Sequence, residues 1–352
     1  MEFEFKSKFM QLPRAVLVGK DAILELNPLL EDLKLGGIAL MVADKTTYEI
    51  AGKKCKEVLN ERHETAVELI SDATVSEVDR ITDACKENDI DFVVGVGGGK
   101  VIDVAKLASK NSSLEFLSIP TAASHDGIAS SRASIKGKDG SVSIGAHAPF
   151  GVLADTEIIK NSPYRLYASG FGDIISKFTA VMDWELAQSV KGEEISEYSI
   201  ALSRMTAQII MDSCDTVAKR SEEGVRKVVK ALISSGVAMS IAGTSRPGSG
   251  SEHKFSHALD IIAPDGGLHG EQCGLGTIMM MHMHGGNWRT IKDALKKIGA
   301  PTTAAELGLD GDIVIEALLK AREIRPQRYT ILEHRPLDRK TARELATDTQ
   351  VI

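Results

Sequence analysis

The amino-acid sequence predicts an α/β N-terminal nucleotide-binding domain with a parallel sheet, joined to an all-α C-terminal metal-binding domain. Three observations predict it. Short β-branched runs alternate with longer amphipathic ones over the first 120 residues, as parallel strands linked by right-handed helical crossovers do. The run Gly95-Val96-Gly97-Gly98-Gly99-Lys100 lies between an apolar strand and a helical pattern, where backbone N–H groups can cradle a pyrophosphate. Beyond about Pro163 the periodicity is helical, and this half carries His253, His257 and His269 within seventeen residues.

A chain of 352 residues is long enough for two domains, and the change of pattern places the division near residue 160, giving 1–160 and 161–352. The net charge of −7 argues against nucleic acid as a partner. Cys55, Cys85, Cys214 and Cys273 form no CxxC pair, so they read as thiols in a reducing compartment. Met1 to Lys6 lacks the apolar core of a signal peptide, and no apolar window is long enough to span a bilayer. A cytoplasmic protein is expected, without membrane insertion. The methionine-rich helical half invites homo-oligomerisation.

The elements follow in order. Ala15–Val18 reads as a strand, Ile38–Ala43 as a second ending in Asp44, and a helix is expected from about Thr47 to Leu59. A strand over Thr65–Ile70 precedes Thr74-Val75-Ser76-Glu77, which has capping-box spacing and predicts a helix from Val75 to Glu87. Phe92–Gly95 reads as a strand buried on both faces, followed by helix Val101–Ser109 and strand Phe116–Ile119. Ile128 to Pro149 predicts a small β-excursion with a hairpin around Lys138-Asp139-Gly140-Ser141. Helices are expected over 173–190, 194–219, 222–242, 256–262 and 275–284, with the stretch Gly243 to Ser251 as a site loop.

Several residues carry candidate chemistry. Gly97, Gly98 and Gly99 let the backbone approach a pyrophosphate, and Asp103, one turn into the next helix, is either a cap or faces a ribose. Asp44 ends a strand where a carboxylate meets an adenosine ribose or caps the following turn. The loop Ser118 to Gly127, with Thr121, Ser124, His125 and Asp126, leaves a strand's carboxyl end, where ligands of parallel sheets bind. Asp173 reads as the start of a helix, either a cap or a metal ligand. His253 and His257, four apart, project from one helical face and suit a shared metal or a metal beside substrate, with His269 closing on the same point. His282 and His284, inside a methionine-rich run, read as packing residues.

The sequence resembles the superfamily of glycerol dehydrogenase, iron-containing alcohol dehydrogenase and dehydroquinate synthase. The motifs are Leu12-Pro13-Arg14, Gly95 to Asp103, Ile119-Pro120-Thr121, Gly170 to Lys177 and His269-Gly270-Glu271. Within it the chain is most similar to the archaeal-type sn-glycerol-1-phosphate dehydrogenases, through Thr121 to Ser130, Gly248 to His253 and Arg328-Tyr329-Thr330-Ile331-Leu332. The resemblance covers nearly the whole chain and implies a dehydroquinate synthase-like fold. It implies a metal held by Asp173, His253 and His269, with His257 touching substrate instead of metal. Asp126 and His257 take the catalytic roles, and Asp126, Asp173 and His257 the substrate contacts. Gly99, Lys100, Val101, Ile102, Asp103, Thr121, Ala122, Ala123, Ser124 and Ser130 contact the nicotinamide nucleotide. Lys177 stands where iron-dependent relatives carry a further histidine, which favours one three-ligand Zn²⁺ per chain.

The function so implied is reversible reduction of dihydroxyacetone phosphate to sn-glycerol 1-phosphate with NAD or NADP as cofactor, for archaeal membrane glycerophospholipids. The alternative is a glycerol or other polyol dehydrogenase. The loop Thr244 to Ser249, through Arg246, is the expected phosphate site, with Lys254 and Lys177 as competitors. Asp44 would repel a 2′-phosphate and Lys45 would offset it, leaving the choice of cofactor open.

Overall fold

Six parallel strands form the sheet: β1 (Ala15–Gly19), β2 (Ile38–Asp44), β3 (Glu64–Ile70), β4 (Phe92–Gly97), β5 (Glu115–Pro120) and β8 (Gly151–Asp155). They lie in the order β1-β8-β5-β4-β2-β3 in a computed structural model that describes residues 10–137 and 140–352. Alternation along the strands sends side chains to two cores. Ala39, Met41, Phe92 and Val94 pack against the helix Leu26–Leu33 on one face, whereas Leu40, Val42 and Val93 meet the helices Val75–Glu87 and Gly99–Asn111 on the other. The chain leaves β2 toward β3 on one side and leaves β4 toward β5 on the other. Between those two diverging connections, at the carboxyl ends of β2 and β4, a doubly wound sheet opens a crevice.

The predicted excursion is an antiparallel pair, β6 (Arg132–Gly137) and β7 (Gly140–Gly145). Lys138 and Asp139 at its tip, like Met1 to Lys6, lie outside the described residues. Strand β8 was not foreseen: three apolar residues, Val152 to Ala154, are too short a run for periodicity to identify, yet this strand joins β1 to β5. Thr74 caps the helix Val75–Glu87 as expected, but Glu77 turns away from the N-cap and accepts from Ser71 N and Oγ. The capping box is therefore half made.

Among the described residues no strand follows Asp155. Four helix boundaries differ from expectation in ways that matter for the site. The helix after β4 starts at Gly99, two residues early, with Gly98 as its N-cap. Asp173 neither caps nor opens a helix: it lies in the last turn of Tyr164–Ile175, and a second helix, Lys177–Lys191, follows. The helix expected at Ser256 runs from Ser251 to Ile262, and the one expected at Leu275 begins at His269 itself. Polar and charged residues and glycines in these first turns carry no apolar period, so the pattern shows each helix only once its apolar face is established.

Helices Tyr164–Ile175 and His269–Met283 cross at their glycines. A Cβ on Gly172 would stand 2.2 Å from the Gly270 carbonyl oxygen, and one on Gly270 would stand 1.9 Å from that of Ser169. Only bare glycines let the two backbones touch, and that contact carries Asp173 to His269. Met279, Met280, Met281 and Met283 are buried in the helical core. They fill it instead of offering a surface for self-association, as the sequence had suggested.

Candidate active site

Two adjoining cavities open at the carboxyl end of the sheet and share Gly99, Lys100, His125 and His269. The first is an apolar cleft running from Asp44, Thr47 and Ile50 past Gly98 to Thr121 and Leu166. The N-terminus of helix Gly99–Asn111 faces it with free backbone N–H groups and the positive end of the helix dipole. The second is polar, lined by Asp126, Arg132, His253, His257, Asp260 and Arg325 among others.

At their junction, ring nitrogens of His253 and His269 and the sulfur of Cys273 all lie within 4.8 Å of one another. Nε2 of His253 is 3.8 Å from Oδ1 of Asp173. Tetrahedral Zn²⁺ with bonds of 2.0–2.3 Å sets its ligand atoms about 3.3–3.8 Å apart; the two imidazoles and the thiol could close on one ion, while Asp173 stands beside His253 but outside that three-atom cluster. Their protonation states fit as well. Burial, with His269 and Lys177 nearby, holds His253 well below its ordinary pKa, and burial also lowers His269, so both imidazoles are neutral ligands at pH 7. Burial alone would raise the Asp173 carboxyl, but the Lys177 ammonium 2.7 Å away outweighs it and keeps it far below the usual carboxylate range. The Cys273 thiol is pushed well up by burial and by Asp173.

Lys177 is fully buried, with Nζ 2.7 Å from Asp173 Oδ1, 3.0 Å from Asp126 Oδ2 and 3.2 Å from the Gly248 carbonyl. Asp126 also accepts from Ser235 Oγ at 2.8 Å, and its N–H donates to Asp173 Oδ2 at 2.8 Å. The loop after β5 is thereby pinned to Asp173. His257 is a turn beyond His253 and outside the three-atom cluster; its Nδ1 is buried without a hydrogen-bond partner, 4.0 Å from Asp260 Oδ2. Burial first, then His269 and Arg325, hold it neutral.

The other predicted residues divide into those facing the cavities and those behind them. Gly98, Gly99, Lys100, Thr121, Ala122, Ser124 and Ser130 line one cavity or the other. Val101, Ile102 and Ala123 are fully buried and line neither cavity, so their side chains serve packing. Gly97 is needed for packing, since a Cβ there would meet Val101 at 2.6 Å. Asp103 borders the polar cavity but is held by Lys106 Nζ at 3.1 Å and Ser134 N at 2.9 Å, bracing the helix against β6. Asp44 borders the cleft and caps the next turn, accepting from Thr47 N at 2.7 Å. His282 stacks edge-on against Trp288 and His284 bonds Asp183 at 3.0 Å.

The expected phosphate loop does not offer its guanidinium. Arg246 is buried, paired through Nε and Nη2 with Glu193, and donates from Nη1 to the Tyr329 carbonyl. Lys254 is held by Glu333 at 2.6 Å, and Lys177 by two carboxylates.

Sequence reasoning passed over two residues that shape the metal cluster and gave little weight to a third at the junction. Glu252 is fully buried, accepts from Gly250 N and Thr179 Oγ, and lies 2.8 Å from Nδ1 of His253. Cys273 sits one turn after His269 on the same face, a spacing the sequence displays. His125 stands between the two cavities, and a Cβ on Gly99 would lie 2.0 Å from its Nε2.

Comparison with known proteins places this architecture. A family profile described as iron-containing alcohol dehydrogenase matches residues 17–163. The solved structure of glycerol dehydrogenase from Schizosaccharomyces pombe shares the fold, with a TM-score of 0.82 at 20% identity over 99% of this chain and 92% of that one. The glycerol-1-phosphate dehydrogenase [NAD(P)+] of Methanosarcina mazei is 54% identical over 98% of this chain and 97% of its own length. That of Methanothermobacter thermautotrophicus is 53% identical, over 97% and 99%. At that identity and coverage, this chain belongs to the glycerol-1-phosphate dehydrogenase family.

Proposed function

We propose that this chain reduces dihydroxyacetone phosphate reversibly to sn-glycerol 1-phosphate with NADH or NADPH, in the cytoplasm, supplying the backbone of archaeal-type glycerophospholipids. One observation carries the reading: the His253–His269 cluster with the Asp173 carboxylate sits where the nucleotide cleft meets the polar cavity. Residues 1–160 would hold the nucleotide and 161–352 the metal. Asp173, His253 and His269 would hold the ion, as the family motif implies, with the Asp173 carboxylate 3.8 Å from His253 Nε2; Cys273, which lies in the three-atom cluster, is the alternative third ligand. Bound there, Zn²⁺ supplies Lewis-acid polarisation of the C2 carbonyl and the nicotinamide supplies the hydride.

The chain's own residues do the rest. Backbone N–H groups at the start of helix Gly99–Asn111 would bind the pyrophosphate, and Thr121, Ala122 and Ser124, which line the same cleft, would hold the nicotinamide half. Asp126, fixed by Lys177 and Ser235, orients the substrate hydroxyl. His257 would act as a relay, giving its ring N–H proton to the C2 oxygen as its other ring nitrogen takes one from the solvent side, so that it stays neutral as its surroundings favour. No helix among the described residues is long and apolar enough to cross a membrane. Exposed Tyr198, Met205 and Ile209 share a face of helix Glu197–Asp212 and support assembly into a homo-oligomer.

The test is an absorbance assay at the nicotinamide band with dihydroxyacetone phosphate and dihydroxyacetone, each with NADH and NADPH, before and after chelation. The reading expects phosphorylated substrate to be preferred, activity to vanish with the metal and return with Zn²⁺, and chiral analysis to give sn-glycerol 1-phosphate. Full activity in metal-free protein, or preference for the unphosphorylated triose, would overturn it.

A further inference from the structure

Among the described residues most cations around the polar cavity are paired; Lys136 meets Asp72 at 2.7 Å, and Lys100 reaches only the Ser71 carbonyl at 3.5 Å. Arg246 pairs with Glu193, Lys254 with Glu333, and Lys177 with Asp126 and Asp173. Arg328 donates to the Ser249 carbonyl at 2.6 Å and to Ser245 Oγ at 2.8 Å, holding the Thr244 to Ser249 loop. Arg325 lines the cavity half-buried and, among the described residues, its guanidinium has neither hydrogen-bond nor carboxylate partner. Arg132, from β6 across the cavity, uses Nε and Nη2 on Ser143 and leaves Nη1 without a partner among the described residues.

These two guanidiniums are near enough to repel. Burial, with Arg132 alongside, lowers Arg325 from its ordinary pKa, and Arg325 in turn acts on His257 and Arg328. The cavity's carboxylates do not neutralise them. Asp126 is taken by Lys177 and Ser235, Asp103 by Lys106 and Ser134, and Asp260 accepts from Gln272 at 3.0 Å. Arg325 also has φ +48°, a left-handed backbone that an L-residue adopts only at a cost. Its loop, closed by the Arg328 N–H on the Arg325 carbonyl at 2.8 Å, holds the side chain at the cavity despite that cost.

We infer that Arg325, from the helical lobe, and the free edge of Arg132, from the sheet lobe, form the seat of the substrate's phosphate. An unpaired guanidinium pair beside the proton-relay histidine attracts a small dianion, and a phosphate bound there lies across the two lobes. The inference rests on the proposed reaction and supplies the recognition that Arg246 does not.

The experiment compares wild type with Arg325→Gln and Arg325→Lys on dihydroxyacetone phosphate and dihydroxyacetone. For R325Q the preference for the phosphorylated substrate, as a ratio of kcat/KM values, is expected to drop about 10- to 100-fold, mainly through KM. Inorganic phosphate is expected to compete with substrate in wild type, with an inhibition constant several-fold higher in R325K. An R325Q variant with unchanged KM, equal losses on both substrates, or an unchanged phosphate inhibition constant in R325K would overturn the inference alone. A wild type inert toward dihydroxyacetone phosphate would overturn the proposed function and this inference with it.

Discussion

Oε1 of Glu252 lies 2.8 Å from Nδ1 of His253, in a pocket where Glu252 is sealed from water. Since Nε2 of His253 is the nitrogen 3.8 Å from Asp173, the carboxylate sets both the tautomer and the ring angle of a metal ligand. Burial and neighbouring Asp183 push the Glu252 carboxyl up to about 7, so the contact is held at some cost. Glu252→Gln is expected to weaken Zn²⁺ binding about 10- to 100-fold, read by chelator competition. Unchanged metal affinity would remove Glu252 from this role.

Asp173→Asn tests the donor set itself. Metal content is expected to fall close to zero and turnover by about 100-fold or more, while NADH binding, read by fluorescence, persists. Cys273→Ser is expected to keep its metal. The reverse outcome, metal lost from C273S and kept by D173N, would transfer the third ligand position to the thiol.

The glycine crossing that joins Asp173 to His269 leaves no room for a methyl group. Gly270→Ala would drive a Cβ into the Ser169 carbonyl, 1.9 Å away, so one helix must shift. A loss of about 1–3 kcal/mol in stability is expected, together with weaker metal binding. Unfolding by denaturant and metal titration check the two effects separately, and a variant that loses stability but binds metal normally would uncouple the crossing from the site.

In metal-free protein, acid should act through the histidines. His253, His257 and His269 have folded pKa values below 6.5, so unfolding takes up protons as pH falls below that value, and stability is lost from there downward. Glu252 and Asp260, both raised, oppose this, but the three histidines outnumber them. Stability should therefore fall as pH drops from about 6.5 to about 5.5. A melting midpoint that is level or rises over that interval would contradict the balance. Bound metal should abolish the dependence on the two ligand histidines until protons displace it.

Much of the fold could be read residue by residue. Strands β1 to β5, the helix Val75–Glu87 and the 21-residue helix Glu222–Ala242 lie where periodicity and caps predict. The pattern failed where no apolar period exists: in the three-residue core of β8 and in the first turns before Ser256 and Leu275. The site was legible as residue types in motifs, the glycine run and the histidine cluster. Charge pairing was not. Nothing in the order of residues tells that Arg246 belongs to Glu193, fifty-three positions away, or that Arg325 is left over.

By itself the sequence determined the alternation of strands and helices, the glycine turn between β4 and the next helix, and the gathering of His253, His257 and His269. Those are local properties, written in spacing and side-chain type. The tertiary structure decided which polar groups are already satisfied and which remain free for a ligand. That depends on which distant segments pack together, here through a contact of bare backbones at Gly172 and Gly270. Whether a buried charge meets a partner is settled only when the chain has closed around it.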